Sequence, residues 1–344
     1  MKATGHASVI CALLAAMVMS RAASAYYIDT GISEGCHEEM TLRVLSDFLA
    51  GTDAFADVEL PADHRWQQYA DAVFAGLSLN FDTVEEEYVA VSILIGTRWP
   101  DEHGRSVTSL SALYATHGDP SDQHEHCLRA VEEDGSSGDA TALSRARAFL
   151  DDEVATAMSY QLLPSSQRNR AFTEYVEYYG PVSIVLYAPG YYLGMAIHGL
   201  QDCFSHTLRA EDLFSIVHVL NFVDAVSDDY SEARDGLAHS YAMDACNART
   251  EPLREAAAEA TFELLGALLS PSTQDARDVV SAVADRWMAL TPGCTMDNDY
   301  CDSPWLELAQ EAPAEPIMGC AAVPPRRSAS LFSLLLAFSG GSAD

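Results

Sequence analysis

The sequence predicts an all-α protein: a single irregular multi-helix bundle. Three observations lead there. The long segments carry apolar residues at helical period, while the alternating pattern of strands is scarce. The breaks between those segments hold Gly, Pro, Asn or Asp. Hydrophobic residues make up 49% of the 344-residue chain, enough for a full core in one large domain.

Taken in order, Met1 to Ala25 reads as a secretory signal. Lys2 supplies the charge, Val9 to Met19 the apolar run, and Ala23-Ser24-Ala25 an A-x-A cleavage site. The run is too short to span a bilayer as a helix, so the mature chain is expected to start at Tyr26 and to be secreted or held at the cell surface. Helices are expected over 37–50, 64–78 and 84–98, the last stopped by Pro100. The stretch 100–136 is polar, carries His103, His117, His124 and His126, and reads as long loops. Further helices are expected over 138–162, 166–179, 190–207, 211–227, 229–247, 251–269 and 273–290, followed by an acidic, Cys-bearing loop from Thr291 to Trp305. The domain therefore runs over 26–311. Residues 312–344 form a Pro/Ala spacer and a short apolar tail, Leu331 to Phe338, with Gly319-Cys320 and Arg326-Arg327 ahead of it: a candidate sorting signal.

The chain has 51 Asp and Glu against 19 Lys and Arg, a formal net charge of −32. Such a surface repels nucleic acid and anionic membranes unless a metal or a local cationic patch reverses the field. Of eight Cys, Cys11 leaves with the signal and Cys320 sits in the tail. The other six, Cys36, Cys127, Cys203, Cys246, Cys294 and Cys301, permit three bridges in an exported protein. Their pairing stays open, with Cys294–Cys301 across a short loop the simplest. There is no C-x-x-C pair to suggest a cysteine zinc knuckle or a thioredoxin-like site.

The helix expected at 190–207 carries the chemistry. His198, Asp202 and His206 follow one another at four-residue steps, which on an α-helix drift by only about 40° each and so leave one face. Both residue types are good ligands for zinc or a similar metal. The rest of the helix is apolar (Leu193, Met195, Ala196, Ile197, Leu200, Phe204), and a buried Asp needs a metal, a partner or water. A His–Asp pair satisfying itself is the ordinary reading of any one of these residues; three at this spacing in an apolar helix favour ligation.

Other ligand types sit at element ends. His37 opens the first helix in GCHEEMTLRVL, but Thr41 stands where H-E-x-x-H would need its second His, which excludes a zincin protease. Asp101 lies in RWPDEHG and His126 precedes Cys127. His239 has Asp235 four residues before it and Asp244 five after. His218, alone in the apolar IVHVLNFVDAV, reads as a satisfied core residue. Asp297, Asp299 and Asp302 lack the rest of a calcium loop and read as solvated acids. A phosphate-cradling Gly-rich loop, a G-x-S-x-G elbow and a basic aromatic groove are all missing from the sequence.

AIHGLQDCFSHT, together with CHEEMT, RWPD, QHEHCLR and DGLAHSYAMDAC, resembles the zinc-dependent phospholipase C / single-strand-specific nuclease superfamily, and within it the bacterial branch related to the fungal incompatibility protein Het-C. The likeness covers roughly His37 to Asp244. It implies an all-α fold with up to three zinc ions, held by His and Asp side chains and by the amino-terminal residue. Carried over, the ligands are His198, Asp202 and His206, then His37, Asp101 and His239, with Tyr26 as the new amino terminus where the family usually has Trp. His126 and Asp244 are further candidates. The step from Asp202 to His206 is shorter than in the phospholipases and nucleases and matches the Het-C-like form.

The implied function is phosphodiester hydrolysis by zinc-activated water, with Asp101 orienting or deprotonating that water. Net charge puts phospholipid ahead of nucleic acid as substrate; a phospholipid substrate would bring contact with a membrane surface, and no protein partner is implied. The alternative is a non-catalytic cell-surface recognition or structural protein that keeps the fold and a metal.

Overall fold

A computed structural model describes residues 36–106, 119–130, 133, 135–176, 179–222 and 230–311. The signal segment, Tyr26, His117 and the tail with Cys320 lie outside the described residues. The fold is mostly helical, with two small sheets rather than helices alone.

Helix α1 (Cys36–Ala50) buries Met40, Val44, Leu45, Phe48 and Leu49 along one face. Helix α2 (Arg65–Val73) seats Trp66, Tyr69 and Ala70. Helix α3 (Val84–Glu102) opens on a capping box between Thr83 and Glu86, with three glutamates in its first turn where the helix dipole favours them. It then runs through Pro100 instead of stopping before it. A proline costs the Gly96 carbonyl its i+4 partner, and α3 tolerates that because it ends two residues later. Asp101 is thus the penultimate residue of a helix, not a loop residue. Helix α4 spans Gly138–Gln161.

Helix α5 (Ala188–Ser205) is the axis of the molecule. All but one of its residues, Tyr192, are buried, and it packs against α3, α4 and α8 (Glu251–Leu265). Gly194 explains its closeness to α3: a Cβ there would lie 2.2 Å from the Ile93 carbonyl oxygen. Gly96 makes the reciprocal approach, 1.9 Å from the Tyr191 carbonyl oxygen. Two backbones in contact put the last turns of α3 within hydrogen-bond reach of α5 side chains.

Three expected helices are corrected. Residues 166–179 hold strand β1 (Asn169–Val176), which pairs antiparallel with β2 (Gly180–Tyr187) from Asn169↔Tyr187 to Val176↔Gly180. Its Phe, Thr, Tyr and Val alternate in burial, and the partner strand follows at once. Residues 211–227 hold β4 (Ser215–Val219), flanked by β3 (Thr207–Arg209) and by β5 (Ala289–Leu290) in parallel. The Asp212 carboxylate accepts the Phe214 and Ser215 N–H groups, fixing a turn that a helix would need to erase. Residues 229–247 keep only the single turns α6 (Glu232–Asp235) and α7 (Tyr241–Asp244). Between them Gly236 has φ +83° and lies so close to His218 and Arg129 that a Cβ would clash. Helix α9 (Thr273–Trp287) ends before β5.

Three disulfides form: Cys36–Cys246, Cys127–Cys203 and Cys294–Cys301. The first two touch the centre described below, because Cys36 adjoins His37, Cys127 adjoins His126 and Cys203 adjoins Asp202. Among the described residues no helix is long and apolar enough to cross a membrane.

Candidate metal centre

Four elements deliver ligand-type side chains to one buried place. Helix α5 brings His198 and Asp202, α1 brings His37, α3 brings Asp101, and a 3₁₀ turn (Gln123–His126) brings His126. That turn seats against α5 because residue 199 is glycine; a Cβ there would come within 2.9 Å of the Glu125 carbonyl oxygen. His206, at the end of α5, meets His239 and Asp244 of the 236–244 segment.

Asp202 is the hub. Its Oδ1 lies 3.1 Å from His37 Nε2, and its Oδ2 lies 3.1 Å from His198 Nε2 and 3.0 Å from His126 Nδ1. His198 Nε2 and His126 Nδ1 are themselves 3.2 Å apart. Ligand atoms around a tetrahedral ion with bonds of about 2.0 Å sit about 3.3 Å from one another, so this spacing is that of a ligand shell. Asp101 stands slightly outside, with Oδ1 3.9 Å from His198 Nε2 and 4.0 Å from His126 Nδ1. In the second group His206 Nε2 is 3.4 Å, and His239 Nε2 2.8 Å, from the Asp244 carboxylate. His206 Nδ1 is 4.0 Å from Asp202, which links the two groups.

Protons decide what these distances mean. The Nδ1–H of His198 donates to the Thr97 carbonyl at 2.8 Å. That of His37 donates to Gln201 Oε1 at 2.7 Å. The Gln201 amide is held that way round because its NH2 group donates to the Thr41 hydroxyl and to the Thr261 hydroxyl, whose own proton goes to the Ala257 carbonyl. That of His206 donates to the His126 carbonyl. With Nδ1 as the donor, Nε2 of each ring is the atom that faces a carboxylate, and in a neutral ring it carries the lone pair. This is how metal-binding imidazoles are held from behind.

His198 is the sharpest case. Burial, helped by neighbouring His37 and His126 and opposed by Asp202, pushes its pKa down to about 4, so the ring is neutral at neutral pH. Its lone pair faces Asp202 Oδ2. Burial would raise the Asp202 pKa, but His198, His206, His37 and the bond to His126 outweigh it and keep the carboxylate ionised. A proton on His126 Nδ1 serves one of these two acceptors at a time. A cation among them serves all three at once.

Asp101 leans the other way. Burial first, then Asp202, Glu38 and Glu102, raises its pKa well above the usual carboxylate range. The excess of buried acid over buried base is what a divalent ion would neutralise. At the second group, burial lowers the His206 pKa but Asp202 and Asp244 raise it more. A protonated His206 between two carboxylates therefore satisfies that geometry as well, and the first group carries the stronger case. Nε2 of His239 and the Asp244 carboxylate are buried and face each other at 2.8 Å, a spacing that fits a ligand set as well as an ion pair.

The structure thus gathers His198, Asp202, His37, Asp101 and His126 into one cluster, and His206, His239 and Asp244 into an adjoining one. Tyr26 lies outside the described residues. His218 is a satisfied core histidine, with Nδ1 on Asp139 and Nε2 accepting from the Leu237 N–H. His103 pairs with Glu125 and stacks on Trp99, away from the cluster. Thr97 and Gln201 escaped sequence reading. A polar Gln beside a ligand stripe in an apolar helix was the available signal for one, while a backbone carbonyl leaves none for the other. Comparisons with protein-family models, with curated proteins and with solved structures find no match for this chain.

Proposed function

We propose that this chain is an exported zinc-dependent phosphodiesterase of the phospholipase C / single-strand-specific nuclease superfamily, in its Het-C-like branch. The observation that carries the reading is that His37 and His198, each held from behind through Nδ1, both turn Nε2 to the Asp202 carboxylate. His37, His198 and Asp202 would hold one ion, with Asp101 and His126 beside it across His198, and His206, His239 and Asp244 another. A bound zinc supplies Lewis acidity and makes water acidic enough to serve as a nucleophile near neutral pH. Asp101 has the raised pKa of a group suited to taking up and holding a proton from that water. Thr97 and Gln201 keep the imidazoles in the tautomer that offers Nε2. The phosphate would be bound only with metal present, because the side chains alone make the site anionic. Phospholipid ranks ahead of nucleic acid, because the net charge of −32 opposes a polyanion.

The test uses protein purified without chelator. Elemental analysis is expected to find zinc, and the same sample to hydrolyse bis(p-nitrophenyl) phosphate and release phosphocholine from phosphatidylcholine, both lost with chelator and restored by zinc. A protein that neither carries nor takes up zinc overturns the reading.

A second reading, a cell-surface recognition or structural protein that keeps the metal without turnover, is favoured by one observation. His37, His198 and Asp202 are 0% exposed, and Asp101 is 2% exposed. Zinc-dependent stabilisation with no hydrolysis of any phosphodiester tested would decide for it.

A further inference from the structure

Behind the cluster lies a buried ionic triad that the ligand set does not use. Arg98 reaches Glu38 through Nη1 at 2.5 Å and Glu102 through Nη2, and all three residues are at most 4% exposed. Each member adjoins a residue of the centre. Glu38 follows His37 on α1, Glu102 follows Asp101 on α3, and Arg98 follows Thr97, whose carbonyl holds His198. The guanidinium also lies over the Phe74 ring.

A buried triad of this kind is a poor source of stability, because desolvating three charges offsets most of their attraction. What it does provide is geometry. The planar fork of an arginine can grip two carboxylates in fixed directions, which a lysine ammonium cannot. Here the two carboxylates belong to different helices, so the fork fixes the offset of α1 against α3, and with it the separation of His37 from Asp101.

We propose that Arg98 is a positioning residue for the metal site: by clamping Glu38 and Glu102 it sets the backbone from which His37 and Asp101 project. The inference rests on the metal reading of the cluster. Loss of such supporting contacts around a site costs about 10–100-fold in metal affinity.

The experiment titrates chelator-stripped, mature protein with Co2+ alone, following visible absorption, and with Zn2+ against a chromophoric chelator. Wild type is expected to bind both ions. Arg98→Lys, which keeps the charge and loses the fork, is expected to fold with an unchanged circular dichroism spectrum. It should bind Co2+ at least about tenfold more weakly and with an altered absorption spectrum. Should Arg98→Lys not fold, the double variant Arg98→Met/Glu38→Gln, which leaves net charge unchanged, is held to the same expectation. A folded variant with wild-type affinity and spectrum overturns the clamp. Wild type that binds neither ion overturns the metal reading itself, so the two failures are told apart by which protein fails.

Discussion

His198 Nε2 and Asp202 Oδ2 face each other across one turn of α5 at 3.1 Å, lone pair to lone pair. The Thr97 carbonyl takes the ring's proton on the far side, and burial keeps the ring neutral. With the ring neutral no proton lies between the two atoms, and a cation against both would hold them together. Four predictions follow from this contact and its supports.

Asp202→Asn keeps the shape and removes the charge. Metal content is expected to fall sharply against wild type by elemental analysis. A ligand at 100 times its Kd adds about 2.7 kcal/mol, worth roughly 4–5 °C in a domain of this size. Wild type should show a zinc-dependent rise of that order in thermal unfolding, and Asp202→Asn less than about a quarter of it.

The second prediction concerns pH in chelator-stripped protein. The His198 pKa is about 4 when folded against 6.5 when unfolded. Between those values the unfolded chain binds a proton that the folded chain refuses, so stability is lost as pH falls. The contribution of His198 is whole above about pH 6.5 and fades toward pH 4, by about 3 kcal/mol in all. Asp101, raised by burial, slopes the opposite way. The measurement is therefore the difference in urea-unfolding free energy between wild type and His198→Gln. That difference should shift against wild type as pH drops through this window, and a flat difference would show that His198 titrates normally.

The third concerns Cys127–Cys203, which ties the His126 turn to α5 beside Asp202. Cys127→Ala/Cys203→Ala is expected to lose about 2–5 kcal/mol in denaturant unfolding and to bind zinc more weakly. Reduction of wild type with a phosphine, which spares the zinc better than a thiol, should weaken binding in the same direction. Unchanged affinity in both would separate the bridge from the site.

Gly194→Ala tests the approach of α3 to α5. The new Cβ would meet backbone atoms at 2.2 and 2.7 Å, which cannot rotate away. Overpacking of this kind costs about 1–3 kcal/mol, occasionally more. Gly266→Ala is the control: nothing lies within 4 Å of its Cβ position and its φ is −56°, so a gain of about 0.4–1 kcal/mol is expected from a stiffer unfolded chain. Equal effects from the two in chemical denaturation would mean that the close approach is not real.

The ligand stripe of α5 was legible because helical period alone puts His198, Asp202 and His206 on one face. The helices 37–50 and 138–162 were legible from one apolar face, and 190–207 from a nearly unbroken apolar run around its ligand stripe. The segments misread as helices have strand partners distant in the sequence or immediately downstream. β4 is held partly by Ala289–Leu290, and nothing within 211–227 announces that pairing. The irregular stretch 229–247 is set by Gly236 fitting against His218 and Arg129, again a contact between distant residues.

By itself the sequence determined a mostly helical fold, an acidic chain, a helix with its ligands on one side, and the residue types available to join it. Helix geometry and charge are local quantities and need no partner to be read. Only the tertiary structure decided that His126 belongs to the first cluster and Asp244 to the second, that Asp101 stands a little apart, and which cysteines pair. Only it showed that each imidazole of His37, His198 and His206 has spent its Nδ1 proton on a fixed acceptor. Those facts depend on elements folded against one another over long stretches of chain, and a metal site is made by that convergence.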